Sequence, residues 1–264
     1  MTFLEMHRPG DPFVLANAWD VGSARMLAAM GARAIATTSA GFAFTRGLPD
    51  GGAVGRAEAI AHGSELAAAV ALPVSADLED GYGPDPADTS ETVRQAALAG
   101  LAGCCLEDVS GDGRPYDFAA AVARIETAVI AARQATDFVF CARADGVMHG
   151  AYDLDEAIRR LQAFREAGAD VLYAPVPGTP NDLARLVRAV GGRVNALAVG
   201  PLARLRLAEF AEIGVARVSV GSALARATHR VIRDAGSAML GGDFAGLGGV
   251  GADEIDPMLA RGAG

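Results

Sequence analysis

The chain has 264 residues, of which 51% are hydrophobic and 21% charged, and a formal net charge of −9. This composition supports a sizeable core and excludes global disorder, and the acidic balance argues against a nucleic-acid or anionic-membrane surface. All 23 basic residues are arginine, which excludes chemistries that need a lysine amine: Schiff-base aldolases, pyridoxal phosphate enzymes and Walker-type P-loops.

No apolar run reaches the roughly 18 residues needed to span a bilayer, and the start, MTFLEMHRPGDPF, reads as neither a signal nor a transit peptide. The cysteines Cys104, Cys105 and Cys141 are odd in number and lack metal-type spacing. They read as reduced thiols, so a cytoplasmic location is expected.

Along the chain, short β-rich runs alternate with helical patterns. The runs are FVLANAW (13–19), ARAIATT (32–38), LPVSADL (72–78), AGCCLED (102–108), DFVFCAR (137–143), ADVLYAP (169–175), RVNALAV (193–199) and ARVSVG (216–221). Each is apolar on both faces, as a buried parallel strand should be. Several of the intervening stretches open on Ser, Asp or Asn and many close on Gly, the residues that cap helices. Eight such units predict a single α/β domain over 1–264, a closed (β/α)8 TIM barrel with 225–264 as a C-terminal helical extension. A doubly wound open sheet is the alternative; the lack of a GxGxxG after the first strand weakens its dinucleotide-binding form.

VSADLEDGYG (74–83) crowds three acids at the end of the third strand. Barrel active sites lie at the C-terminal strand ends, and strand alternation puts Asp77 and Glu79 on one face. Glu107 ends the next strand, and Asp50 follows the second. Clustered acids in a partly buried mouth repel unless a cation joins them. Mg²⁺ fits such a set through one or two carboxylates and several waters, and Mn²⁺ also suits oxygen ligands. Asp80 and Asp108 read instead as arginine partners or helix caps.

The pieces NAWDVGSARMLAAMGARAIATTSAG, GLPDG, LPVSADLEDGYG, VRQAALAGLAGCCLED, FVFCARADG, LDEAIRRLQAFREAGAD and GGRVNALAVGP resemble, in order, the isocitrate lyase/phosphoenolpyruvate mutase superfamily. The resemblance implies a (β/α)8 barrel whose last helix is swapped between subunits of a homodimer or homotetramer. It implies Mg²⁺ and a small 2-oxo or 2-hydroxy acid substrate. It makes Asp77 the direct metal ligand, with Glu79, Glu107 and Asp50 acting through water. Thr38, Ser39 and Ala40 would contact the substrate's oxygens and Arg143 would hold a carboxylate or leaving group. Trp19 and Asp20 would stand at the end of the first strand, with Tyr82 and Asn195 in the pocket wall.

The lyases of this superfamily carry a Lys-Lys-Cys-Gly-His loop after the fourth strand, and its Cys donates a proton. Here the segment is EDVSGDGRPYDF, without Lys, Cys or His. This points to a Mg-dependent lyase or decarboxylase acting on a 2-oxo or 2-hydroxy dicarboxylic acid through an enolpyruvate-type intermediate. The alternatives are P–C chemistry of the phosphonopyruvate hydrolase or mutase type, methylisocitrate-type cleavage, and a non-catalytic 2-oxo acid binding barrel. Arg114 and Tyr116 are candidate polar substitutes in the loop, His149 reads as a solvated loop residue, and SVGSALARA offers a helix N-terminus to an anion. His7, His62 and His229 read as surface residues.

Overall fold

The computed structural model describes residues 1–264. Eight parallel strands close into a barrel: β1 (Phe13–Asn17), β2 (Ile35–Ala36), β3 (Val74–Asp77), β4 (Gly103–Glu107), β5 (Val139–Arg143), β6 (Val171–Tyr173), β7 (Val194–Leu197) and β8 (Arg217–Ser219). Every strand lies within one of the apolar runs. Closure is made by β1 against β8, with Phe13 opposite Arg217 and Leu15 opposite Ser219, so the open-sheet alternative fails.

The helices are α1 (Val21–Ala29), α2 (Ser39–Thr45), α3 (Arg56–Ala69), α4 (Pro86–Leu98), α5 (Phe118–Ala132), α6 (Leu154–Glu166), α7 (Pro180–Val190), α8 (Leu207–Ile213), α9 (Ala223–Leu240) and α10 (Ala252–Arg261). Helix α7 shows how the sequence sets them. Thr179 and Asp182 form a reciprocal capping box, Pro180 takes the first turn, and Gly191 ends the helix at φ 62°. Leu183, Leu186, Val187 and Val190 recur at helical spacing and face the sheet. Truncating the fully buried Leu186 to Ala removes about 2–5 kcal/mol by transfer and cavity terms.

Inside the barrel, inward side chains from alternate strands stack in layers. The parallel register puts Asp77, Arg143, Leu197 and Asn17 in the layer nearest the C-terminal mouth. By the same stagger Arg217 lies three layers lower, in the layer of Gly103. The N-terminal segment plugs the far end: His7 sits edge-on to Phe3 and Phe13, with ring centroids 4.9 and 5.0 Å away. His7 is therefore buried, not on the surface. His62 is also buried, stacked on Phe42 at 3.8 Å with Nε2 3.0 Å from the Trp19 carbonyl. Helical spacing alone did not reveal that this face of α3 turns inward.

The C-terminal extension leaves the barrel. Only Ala225 of α9 is buried, and Leu224, Val231, Ile232, Met239 and Leu240 are exposed. Helix α10 returns to pack on α1, where a Cβ on Gly262 would fall 1.9 Å from the Arg25 carbonyl.

Candidate active site

A cavity of about 420 Å³ opens at the C-terminal ends of the strands. Asp50, Asp77, Glu79, Asp80, Glu107 and Arg143 line its mouth, and Thr38, Ser39 and Ala40 border it. The predicted acids from β3, β4 and the loop before α3 thus share one chamber.

Arg143 stands at its centre, gripped by three carboxylates. Nη1 lies 2.8 Å from Asp77 Oδ1, and Nη2 lies 3.0 Å from Glu107 Oε1 and 2.6 Å from Asp145 Oδ2. Nε donates to Asp145 Oδ1 at 3.0 Å, making that pair two-pronged. Asp145 is fully buried, and its backbone N–H donates to Asp108 Oδ1 at 2.8 Å. Asp108 in turn accepts from Tyr152 and Arg160 at 2.7 and 3.0 Å. Asp108 is thus an arginine partner behind the site, as its reading from sequence held. Asp80, by contrast, is neither a side-chain arginine partner nor a helix cap: its carboxylate accepts from the Tyr82 N–H and the Tyr116 hydroxyl.

Asp77 is positioned from the neighbouring strand. Its other oxygen accepts from the Ser39 N–H and hydroxyl at 3.1 and 2.9 Å, and its own N–H donates to Thr37 Oγ1 at 2.8 Å. Ser39 therefore faces the key carboxylate. The Thr38 hydroxyl is used locally, accepting from the Gly41 N–H as the cap of α2. Glu79 reaches the mouth for a different reason than alternation. β3 has ended at Asp77, and Glu79 adopts φ 47°, a left-handed conformation uncommon for a side-chain-bearing residue. Its Oε2 accepts from the Gly52 N–H at 3.0 Å.

The mouth carries more negative charge than Arg143 offsets. Burial, then repulsion from Asp77, raises the Asp50 carboxyl. Burial, then Asp77, pushes Glu79 up to about 7. Burial raises Glu107 well above the usual carboxylate range despite the attraction of Arg143. A divalent cation relieves this repulsion. No group of three His, Cys, Asp or Glu side chains converges closely enough to hold an ion by itself.

Three predicted residues lie outside the cavity. Asp20 is the N-cap of α1, accepting from the Ser23 N–H at 2.6 Å. Trp19 instead packs beside Gly41 and presents its carbonyl to His62. Both stand beyond Asn17, where β1 ends, so the strand run read two residues too long. Tyr82 lies behind Glu79 in a small side pocket with Phe42 and His62, turned there by φ 61°. Asn195 does line the cavity.

Sequence reasoning passed over Asn17, Ser219, Arg217 and Asp145. Asn17 Oδ1 accepts from the Val220 and Gly221 N–H groups, both at 2.9 Å, tying β1 to the turn that precedes α9. The signal was there: a polar residue ending β1 and an arginine opening the apolar run of β8.

The phosphoenolpyruvate phosphomutase family model matches residues 3–240. The chain belongs to the phosphoenolpyruvate mutase family. An uncharacterized protein of Mycobacterium tuberculosis is 39% identical over 224 residues, covering 84% of this chain and 82% of the relative. A solved structure from Burkholderia cenocepacia J2315, whose name leaves lyase and mutase open, is 44% identical with a TM-score of 0.91, covering 98% and 94% of the two chains. The 2,3-dimethylmalate lyase of Eubacterium barkeri is 28% identical over 211 residues, covering 76% and 72%. A phosphonopyruvate hydrolase solved with oxalate and Mg²⁺ shares the fold, with a TM-score of 0.84 at 22% identity over 98% and 95%. The isocitrate lyase/phosphoenolpyruvate mutase superfamily contains lyases and mutases.

In this family member the segment after β4 brings Ser110, Gly111, Asp112 and Gly113 to the cavity. Arg114 does not join them: it is exposed and its Nε donates to Asp112 at 2.7 Å. Tyr116 donates to Asp80 at 2.7 Å beneath the Arg124 guanidinium. Cys105 is the cysteine that lines the cavity, 3.5 Å from Asp77 Oδ1, and burial raises its thiol well above the ordinary range.

Proposed function

We propose that this protein is a divalent-cation-dependent lyase or decarboxylase that cleaves the C–C bond at C3 of a small 2-oxo dicarboxylic acid. The observation that carries this reading is the Asp77–Arg143 pair in one cavity mouth with Asp50, Glu79 and Glu107. Asp77 would hold Mg²⁺ or Mn²⁺ directly, with Asp50, Glu79 and Glu107 bonding through water. Bound there, the cation supplies Lewis-acid polarisation of the substrate's carboxylate and 2-oxo oxygens.

The chain's own groups do the rest. Arg143 presents its guanidinium to a substrate carboxylate, and three acids fix its orientation. The Ser39 N–H keeps its hold on Asp77, while its hydroxyl, free to rotate about the side chain, would turn to the substrate oxygens where negative charge develops. As the C3 bond breaks, its electron pair forms the C2=C3 double bond and the carbonyl pair moves to the 2-oxo oxygen, giving an enolate that takes a proton from water at C3. The β4–α5 segment holds no amine, imidazole or thiol, which favours a reaction whose leaving group needs no loop acid, such as carbon dioxide. The exposed apolar residues of α9 support the reading that this helix is exchanged or packed between subunits of a homo-oligomer.

The test is pyruvate release from oxaloacetate, phosphonopyruvate and 2-methylisocitrate, each with Mg²⁺ and with chelator. Chelator-sensitive turnover of oxaloacetate is expected. Turnover of phosphonopyruvate instead would move the reading to P–C chemistry, and silence on all three would leave a substrate with a different C3 group, whose product is not pyruvate, or a binding protein.

A further inference from the structure

The closed end of the cavity carries a charge that the mouth chemistry leaves unused. Four arginines are buried. Arg143 and Arg160 are paired with carboxylates, and Arg124 donates to the carbonyls of Asp80, Gly83 and Asp85. Arg217 shares with Arg124 the lack of a carboxylate partner, but of these two it alone faces the cavity. It is only 3% exposed yet lines the cavity. No carboxylate lies within ion-pair distance of it; its Nε donates to Asn195 Oδ1 at 2.9 Å and its Nη1 lies 3.2 Å from His7 Nε2.

Those partners do not cancel the charge. His7 Nδ1 lies 2.9 Å from the Phe3 carbonyl, so it carries the proton and Nε2 is left as the acceptor for Arg217. Burial, then the Arg217 charge, holds His7 down to about 3, which keeps it neutral. Asn195 is neutral and donates its Nδ2–H to Ser219 Oγ at 2.9 Å. A buried guanidinium held only by neutral groups is costly, and an anion entering the cavity relieves that cost.

Resting on the lyase reading above, we propose that Arg217, with Asn195 and Ser219, forms an anion subsite at the cavity floor that takes the second carboxylate of the substrate. The 2-oxo acid head faces the acid-lined mouth and the distal carboxylate faces the floor. Selection for diacids over monoacids then comes from β8, deep in the barrel, instead of from the loop after β4.

The test is calorimetric binding to the Mg²⁺-loaded protein of the diacids oxaloacetate, 2-oxoglutarate and 2-oxoadipate against the monoacids pyruvate and 2-oxobutyrate. The wild type is expected to prefer at least one diacid. Arg217→Met should erase that preference by about 10- to 100-fold, the scale of a lost charged hydrogen bond, and leave monoacid affinity within about twofold. Arg217→Lys, which keeps the charge and loses the fork, should retain part of it; this variant also serves if Arg217→Met does not fold. Absence of any diacid preference in the wild type, its persistence in the variants, or equal loss for diacids and monoacids would overturn the subsite. An Arg217-dependent preference without turnover would leave the subsite standing and remove the lyase reading. Turnover with an unmoved diacid-to-monoacid ratio would do the reverse.

Discussion

Arg143 and Arg217 are buried arginines of one cavity, three layers apart, and their surroundings are opposite. Arg143 is held by Asp77, Glu107 and Asp145, so it is the compensating charge for its neighbours. Arg217 touches only neutral groups. The difference teaches that burial of a charge is not one situation: one arginine holds the fold's acids in place, and the other is a charge the fold alone does not explain. Across the cavity the contrast becomes a polarity, acidic at the mouth and basic at the floor.

Activity gives the largest contrast. Asp77→Asn should lower metal-dependent turnover by on the order of 10³-fold, as loss of a main electrostatic stabiliser does, with the circular dichroism spectrum unchanged. Wild-type-like turnover would remove Asp77 from the site.

Stability is next. Arg143→Met strands three carboxylates and should cost about 3–5 kcal/mol in urea unfolding, the usual result of breaking a buried ion pair on one side. Arg217→Met strands none and should leave stability equal or higher. A large loss in both would erase the distinction between the two arginines.

Acid should separate the ends further. His7 is depressed to about 3 when folded, from an ordinary value of 6.5, so the unfolded chain binds the extra proton between those values. The stability this neutral histidine contributes is complete above about 6.5 and falls as pH drops toward 3. His7→Gln should flatten that part of the pH–stability curve; an unchanged curve would place His7 elsewhere. At the mouth the sign reverses. Glu79, raised to about 7, loses its proton as pH rises, so repulsion among the acids grows. The rise in melting temperature with Mg²⁺ should therefore be larger at pH 8 than at pH 6. The smallest effect is expected for Tyr152→Phe, which removes one hydrogen bond to Asp108 and should cost about 1 kcal/mol.

The barrel was legible because buried parallel strands are apolar on both faces, and all eight runs hold a strand. The acids of the mouth were legible because strand ends map to one side of a barrel. What escaped depended on one or two residues. β1 stops at Asn17, which moved Trp19 and Asp20 out of the cavity, and left-handed backbone at Glu79 and Tyr82 sent one side chain into the mouth and the other behind it. His7 and Arg217 escaped because their partnership joins residues 210 positions apart, a contact that no local pattern encodes.

The most direct test is a crystal of the protein grown with Mn²⁺ and oxalate, measured for anomalous scattering. The account predicts a Mn²⁺ peak beside the Asp77 carboxylate, bridged by water to Glu79, Glu107 and Asp50, with oxalate between the ion and the Ser39 and Arg143 groups. A cavity mouth without a peak under saturating Mn²⁺, or a peak bound away from Asp77, would contradict it.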